Sequence, residues 1–129
     1  MLYRVEQDSP VPIYEQIVAQ VIFGIAGGAL EAGTLIPSVR ELAGRLTVHP
    51  NTVARAYQEL ERRGLVVARR GRGMEVAAEA PALSREARND IVRGRIRAAL
   101  REAVSSALPA DEVRRVVDEE LRRVNGQAD

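Results

Sequence analysis

Asn51 and Arg55 are four residues apart, so their polar side chains share one face if this segment is a helix. An asparagine amide can make a bidentate contact with adenine, and an arginine can do the same with O6 and N7 of guanine. Thr52, next to Asn51, can contact a phosphate or a thymine methyl group. The residue types and their spacing therefore predict a helix that reads base edges in the major groove of duplex DNA.

A second group of polar residues lies about twenty positions further along the chain. It consists of Arg69, Arg70 and Arg72 around Gly71 and Gly73. Glycines allow a tight turn with positive φ and a close approach to a ligand. Arginines at such a tip can bind phosphates or enter the minor groove. The pattern predicts a basic hairpin tip that contacts DNA beside the predicted helix.

Arg40 completes this set, since it lies in the first turn of an earlier predicted helix and can hold a phosphate or contact a base at the groove edge. Simpler structural interpretations exist for all these residues. Asn51 and Thr52 also favour helix starts, and Arg55 could pair with Glu59 one turn on. Arg40 could be an exposed arginine without a partner, and the glycine-rich tip is also ordinary hairpin chemistry. The residues alone leave these alternatives open.

The elements that must position these residues can be read from their start and stop signals. Ser38 and Glu41 form a capping box that begins one short helix. His49 is the expected cap, or a contact to the DNA backbone, and Pro50 is the expected first residue of the next helix. An earlier helix starts after Pro12, and two strands are expected at residues 65–68 and 74–77. This order predicts a mainly α fold with a small β-hairpin, a winged helix-turn-helix, over residues 1–77.

Residues 78–83 are predicted to be a linker, and residues 84–129 a tail of two amphipathic helices. Pro109 separates the helices, and the second is expected to stop at Gly126. The tail is too small for a core of its own, so its apolar stripes could pair with a second copy or pack on their own domain. We favour a homodimer. The candidate dimerisation residues are Ile91, Ile96, Leu100, Val104, Val113, Val117, Leu121 and Val124.

Positive charge is concentrated in residues 38–73, where eight arginines face three glutamates, a difference of five. Residues 78–129 hold ten arginines and ten acidic residues, which balance. The basic segment therefore coincides with the predicted DNA-facing elements.

The composition also excludes several classes of function. With no cysteine and a single histidine, the chain has no disulfide, no thiol catalysis and no multi-histidine metal site. We find no nucleophile paired with a base and no phosphate-binding loop, so we predict neither enzyme activity nor a cofactor. We expect a cytoplasmic protein without a membrane partner, since no stretch resembles a signal peptide or a bilayer span. The sequence names no small-molecule effector.

Four segments carry a family resemblance: PIYEQI at 12–17, IPSVRELA at 36–43, NTVARAYQELE at 51–61 and RRGRG at 69–73. Over residues 12–77 the chain resembles the DNA-binding domain of GntR-type bacterial transcription regulators. Its short two-helix tail is similar to that of the YtrA-like subgroup. The resemblance implies DNA contact by Arg40, a recognition helix that begins at Asn51 and Thr52, and a wing tip at residues 70–73.

The resemblance also implies a dimerising tail with little room for a ligand. Pro50 and Ala54 stand where many members of the family have base-contacting arginines, so the expected base reading shifts to Asn51 and Arg55. The resulting prediction is a transcription regulator, a repressor, that binds a two-fold-symmetric operator as a homodimer. A winged helix that docks on a protein is the alternative. Its helix would usually carry apolar anchors in place of Asn51 and Arg55.

Overall fold

A computed structural model describes residues 1–128, with side chains described for residues 1–126. The elements in chain order are α1 (Ile13–Ala26), α2 (Val39–Leu46), α3 (Pro50–Arg62), β1 (Val66–Arg69), β2 (Gly73–Val76), α4 (Ala80–Ser105) and α5 (Ala110–Ala128). The predicted mainly α fold, a winged helix-turn-helix followed by two helices, is confirmed. The chain divides into two compact units, the first covering Met1–Ile91 and the second beginning at Val92.

The core of the first unit is built from the apolar stripes of its helices. The stripe of α1 contributes Ile17, Val21 and Ile22, which are almost completely buried. α3 packs against both α1 and α2. Each stripe repeats every three to four residues, so all its members face the same side of the helix. Further core residues are Val18, Ile25, Leu30, Ile36, Leu42, Ala43, Val53, Ala56, Tyr57, Leu60, Leu65, Val66, Val76, Ala77 and Ala80.

The pair α2 and α3 forms the helix-turn-helix. The Ser38 hydroxyl accepts a hydrogen bond from the Glu41 N–H at 3.0 Å, as the capping box predicts. The turn places Thr47 in the left-handed region, at φ 55°. The hydroxyl of Tyr57 on α3 donates to the carbonyl oxygen of Pro37 at 2.7 Å, just before α2. This bond ties the two helices together, and burial raises the pKa of the Tyr57 hydroxyl.

The wing is an antiparallel hairpin in which Val66 pairs with Val76 and Arg69 with Gly73. A short extended segment, residues 33–36, lies along the other side of β2, where Leu35 forms a bridge with Glu75. Backbone hydrogen bonds join Ile36 N to Met74 O at 3.0 Å and Val76 N to Thr34 O at 2.8 Å. β2 is therefore held on both of its edges, which fixes the positions of its side chains.

Residues 1–11 precede α1 and are held against it by hydrogen bonds. The side chains of Gln16 and Gln20 face this segment from adjacent turns of the helix. The amide oxygen of Gln20 accepts from Arg4 N at 2.9 Å, and that of Gln16 accepts from Glu6 N at 2.7 Å. Gln16 also donates to the Glu6 carbonyl at 3.0 Å. Two amides at i and i+4 thus satisfy backbone groups that would otherwise bind water.

The linker predicted for residues 78–83 is wrong for most of its length, because α4 already begins at Ala80. Pro81 lies in its first turn, where a proline needs no N–H partner. Ala80 and Ser84 are fully buried. Ile91, which the sequence predicts to be a dimerisation residue, packs instead against the core of the first unit. The first three turns of α4 thus belong to the winged unit.

The second unit consists of the rest of α4, a short turn and α5. Ala107, at φ 60°, lies in the turn after α4, and Pro109 precedes α5 as predicted. The helix does not stop at Gly126 but runs to Ala128, and Asp129 lies outside the described residues. Val113 is partly exposed. The other predicted dimerisation residues of this unit are exposed, namely Ile96, Leu100, Val104, Val117, Leu121 and Val124.

Candidate nucleic-acid interface

The N-terminal half of α3 presents the polar face that the spacing predicts. Asn51 and Arg55 are exposed, while Val53 and Ala56 on the other side of the helix are completely buried. The helix is capped by His49, whose Nδ1 accepts from the Asn51 N–H at 3.0 Å. Since His49 is the cap, the Asn51 side chain is not needed for that purpose. The amide of Asn51 is therefore available to a ligand.

Arg55 stacks on an aromatic ring of α1. Its guanidinium carbon lies 3.8 Å from the centre of the Tyr14 ring, a cation–π arrangement. The ion pair with Glu59, considered as an alternative from the sequence, is not what the structure has there. Glu59 instead accepts from Nε of Arg62 and from Nε of Arg63, both at 2.9 Å.

The hydrogen bond from Arg62, and after it the one from Arg63, lower the pKa of Glu59 from 4.5 to about 2. Glu59 thus holds two arginines at the C-terminal end of α3. That end is about 16 Å from Asn51, at 1.5 Å per residue. The two arginines therefore lie apart from the polar face at the start of the helix.

The two arginines of α2 differ in their surroundings. Arg45 pairs with Glu41 at 2.6 Å, one helical turn away. Glu41 thus binds Arg45 rather than completing the capping box. Arg40 is exposed and, among the described residues, makes no ion pair or side-chain hydrogen bond. Its donors are free for a phosphate, as the sequence-based prediction requires.

At the wing tip, two of the three arginines are bound by one carboxylate. Glu75 on β2 accepts from Nε of Arg69 at 2.7 Å, and its other oxygen lies 3.9 Å from Nη1 of Arg72. Arg70 has no such partner within the part of the chain that is described. Gly71 and Gly73 have φ of 75° and 110°, which only glycine adopts readily, so the tip is as tight as expected.

Fewer arginines of residues 38–73 are free to pair with a ligand than the number of arginines in this segment suggests. Of the eight arginines, five are in ion pairs with Glu41, Glu59 or Glu75. Arg55 lies on Tyr14, which leaves its charge in place. Arg40 and Arg70 are the two for which the described residues offer no partner. Arginines that are free in this way are the ones ready to bind phosphates.

Tyr14 and Glu75 were not among the predicted site residues. Tyr14 lies 41 positions before Arg55, so no local pattern connects them. Glu75 meets Arg69 and Arg72 only when the hairpin has closed. The pairing of Glu59 with Arg62 and Arg63 could have been found, since three- and four-residue spacings on a helix bring charges together.

Within the described chain there is no group of three or more acidic, histidine or cysteine residues that could hold a metal ion. None of the described helices has the length and apolar character needed to cross a bilayer.

Comparison with known proteins bears directly on this arrangement. The family model described as "Bacterial regulatory proteins, gntR family" matches residues 13–76, from α1 through the wing. A solved GntR family transcriptional regulator from Listeria monocytogenes is 33% identical, with a TM-score of 0.69 over 87% of this chain and 97% of that one. The chain belongs to the GntR family. The likeness extends into the helical tail, since 87% of this chain is covered.

Among curated relatives of this GntR-family chain, the HTH-type transcriptional repressor YtrA of Bacillus subtilis is 42% identical over 61% of both chains. This similarity supports the YtrA-like subgroup. The chain spans 54% to 61% of the length of the curated relatives it matches most strongly. The structure of AraR(DBD) in complex with operator ORX1 is also similar, at 27% identity and a TM-score of 0.54, over 59% of this chain and 96% of that one. The relatives are named regulators of transcription, so this family is one of DNA-binding proteins and not of enzymes.

Proposed function

We propose that this GntR-family chain is a transcription repressor that binds a two-fold-symmetric DNA operator as a homodimer. The observation that carries the proposal is the exposed pair Asn51 and Arg55 at the start of α3, with the capping role left to His49. In helix-turn-helix proteins the N-terminal part of the second helix of the motif contacts base edges. Asn51 would read adenine and Arg55 guanine.

Contacts to the DNA backbone would come from the residues around this helix. Arg40 and Arg70 carry charges that no described residue neutralises, which suits them to phosphates. Thr52, partly exposed in the first turn of α3, would contact a phosphate or a thymine methyl group. The wing tip, residues 69–73, would approach the backbone or the minor groove. The AraR(DBD) complex with its operator supports DNA as the partner.

The homodimer would be formed by the second unit. Its apolar side chains from Ile96 to Val124 are exposed, with Val104 at 73% and Leu121 at 55%. Exposed apolar stripes on two consecutive helices are typical of a surface that pairs with another chain. Two copies would form a small helical bundle with two-fold symmetry, and that symmetry would match the two half-sites of an operator.

The proposed sign of regulation, repression, is supported by one of the named relatives. YtrA of Bacillus subtilis is named a repressor, and we extend that role to this chain. A repressor of this kind works in the cytoplasm, where the DNA of a prokaryote lies.

The decisive experiment is a binding selection from random duplexes, read by sequencing and repeated at two salt concentrations. An enriched inverted repeat would support a dimeric, sequence-specific regulator and supply its operator. Salt-sensitive binding without enrichment would contradict sequence-specific reading and indicate an architectural role or a missing effector. An absence of binding at both salt concentrations would favour a winged helix that docks on a protein.

The assignment of the groove-reading face can then be tested with Asn51→Ala. This change should cost about 1–3 kcal/mol of binding free energy and relax the preference at one base pair of the selected site. The measurement is competition between the selected duplex and its single-base variants. If Asn51→Ala leaves every base preference intact, Asn51 does not read a base.

A further inference from the structure

The backbone of Glu75 is held in place by neighbouring strand residues on both sides. Glu75 lies on β2, where its backbone is paired with Val67 on one edge and bridged to Leu35 on the other. Its side chain is only 13% exposed, whereas the side chains of Arg69 and Arg72 are 53% and 63% exposed. A largely buried carboxylate on a strand held at both edges is thus surrounded by two exposed arginines.

The carboxylate of Glu75 is hydrogen-bonded to the guanidinium of Arg69 and lies within ion-pair distance of the guanidinium of Arg72. It accepts from Nε of Arg69 at 2.7 Å and lies 3.9 Å from Nη1 of Arg72. Phosphate and carboxylate oxygens use the same edge donors of arginine, so they compete for them. The stacking of Arg55 on Tyr14 is different, because an aromatic ring covers the face of the guanidinium and leaves its edge donors free.

We propose that Glu75 sets the strength of backbone binding by the wing, because it competes with DNA phosphates for Arg69 and Arg72. Arg70 then carries the contact between the wing tip and the backbone in the wild-type protein. This inference rests on the proposed DNA-binding function, and it adds to it a residue that restrains binding to DNA of any sequence. Sequence-independent affinity of this kind depends on the number of phosphates that are neutralised.

Glu75→Gln removes the charge of this carboxylate and keeps its shape. The probe is a fluorescent duplex of random sequence, with affinity measured by anisotropy between 50 and 200 mM salt. Each additional phosphate contact adds about 0.9 to the slope of log affinity against log salt. Release of one or both arginines therefore predicts that the affinity of Glu75→Gln falls about three- to twelvefold more than that of wild type over this range. At 50 mM salt the variant should bind more tightly than wild type.

Glu59→Gln is the matched control. It changes the net charge by the same amount and also releases two arginines, Arg62 and Arg63, but at the C-terminal end of α3. Under the proposal it changes the salt dependence much less than Glu75→Gln does. Equal effects of the two variants would mean that only net charge matters, and this would overturn the proposal. So would an unchanged salt dependence in a folded Glu75→Gln protein.

Single arginine variants test the same idea without altering the buried carboxylate. In the wild-type background, Arg70→Ala should weaken binding to the random duplex clearly, and Arg69→Ala should change it less than about twofold. In the Glu75→Gln background, Arg69→Ala should remove part of the gain. If Arg69→Ala weakens wild-type binding as much as Arg70→Ala does, Glu75 does not withhold Arg69.

Thermal unfolding followed by circular dichroism shows whether Glu75→Gln is folded, and the arginine variants decide the question if it is not. The outcome that refutes DNA binding differs from the outcome that refutes the role of Glu75. If the wild-type protein binds neither random nor selected duplexes at 50 mM salt, the DNA-binding function and the role of Glu75 both fail. If it binds and the variants behave alike, only the role of Glu75 fails.

Discussion

The guanidinium carbon of Arg55 lies 3.8 Å from the centre of the Tyr14 ring, so a residue of the first helix supports a side chain of the proposed recognition helix. The Tyr14 hydroxyl donates to Oε1 of Glu15 at 3.1 Å, which further fixes the ring. A stacked arginine loses less rotamer freedom on binding than one that moves freely in water. Tyr14 therefore acts as a positioning residue for Arg55.

Tyr14→Leu should weaken the preference for the base that Arg55 reads, by about 0.5–1 kcal/mol, because the cation–π contact is lost. Tyr14→Phe keeps the ring and should retain the preference. The measurement is competition between the selected operator and variants at each base pair, with Arg55→Ala to identify the affected position. Should Tyr14→Leu weaken all duplexes equally, the ring would support the fold and not the reading of a base.

Arg40 and Arg45 allow a comparison within one helix. Arg40 is without a described partner, whereas Arg45 is paired with Glu41 at 2.6 Å. Arg40→Ala should weaken binding to most sequences alike and lower the salt slope by about 1, because one phosphate contact is lost. Arg45→Ala should have a smaller effect on both quantities. Equal losses in the two variants, measured by salt titration, would show that the ion pair does not keep Arg45 from DNA.

Thr47 occupies the turn of the helix-turn-helix at φ 55°. A β-branched residue is strained there, whereas asparagine tolerates the left-handed region. Thr47→Asn should therefore raise the free energy of unfolding by about 0.5–1 kcal/mol. Urea unfolding followed by circular dichroism measures the gain. Thr34→Asn is the control, since Thr34 has no positive φ and should show no such stabilisation.

The tail offers neighbouring positions for a test of self-association. Leu121 is apolar and 55% exposed, and Arg122 follows it on α5. If Leu121 is buried between two copies, Leu121→Gln should weaken the dimer by about 1.5–3 kcal/mol per copy. Arg122→Gln introduces the same side chain one position along and should leave the dimer intact. Sedimentation equilibrium gives both constants, and a wild-type protein that stays monomeric would refute the dimer.

Much of the fold could be predicted from local signals. The capping serine at Ser38, the cap and proline at His49 and Pro50, and the glycines of the wing tip act within a few residues of where they stand. Helical spacing alone predicts that Asn51 and Arg55, near the start of α3, share one exposed polar face. The start of α4 differs from the prediction, because Pro81 is equally typical of a linker and of a first helical turn, and only the burial of Ala80 in the core distinguishes the two.

The family, the order of helices and hairpin, and the residue types that suit DNA can be predicted from the sequence, because periodicity, caps and turns are local properties. Which of these residues are free to bind a ligand depends on the folded chain. Glu75 reaches Arg69 across a hairpin, and Tyr14 reaches Arg55 from another helix. Such contacts form between segments that are distant along the chain. They depend on strand register and helix packing, which the whole core fixes together.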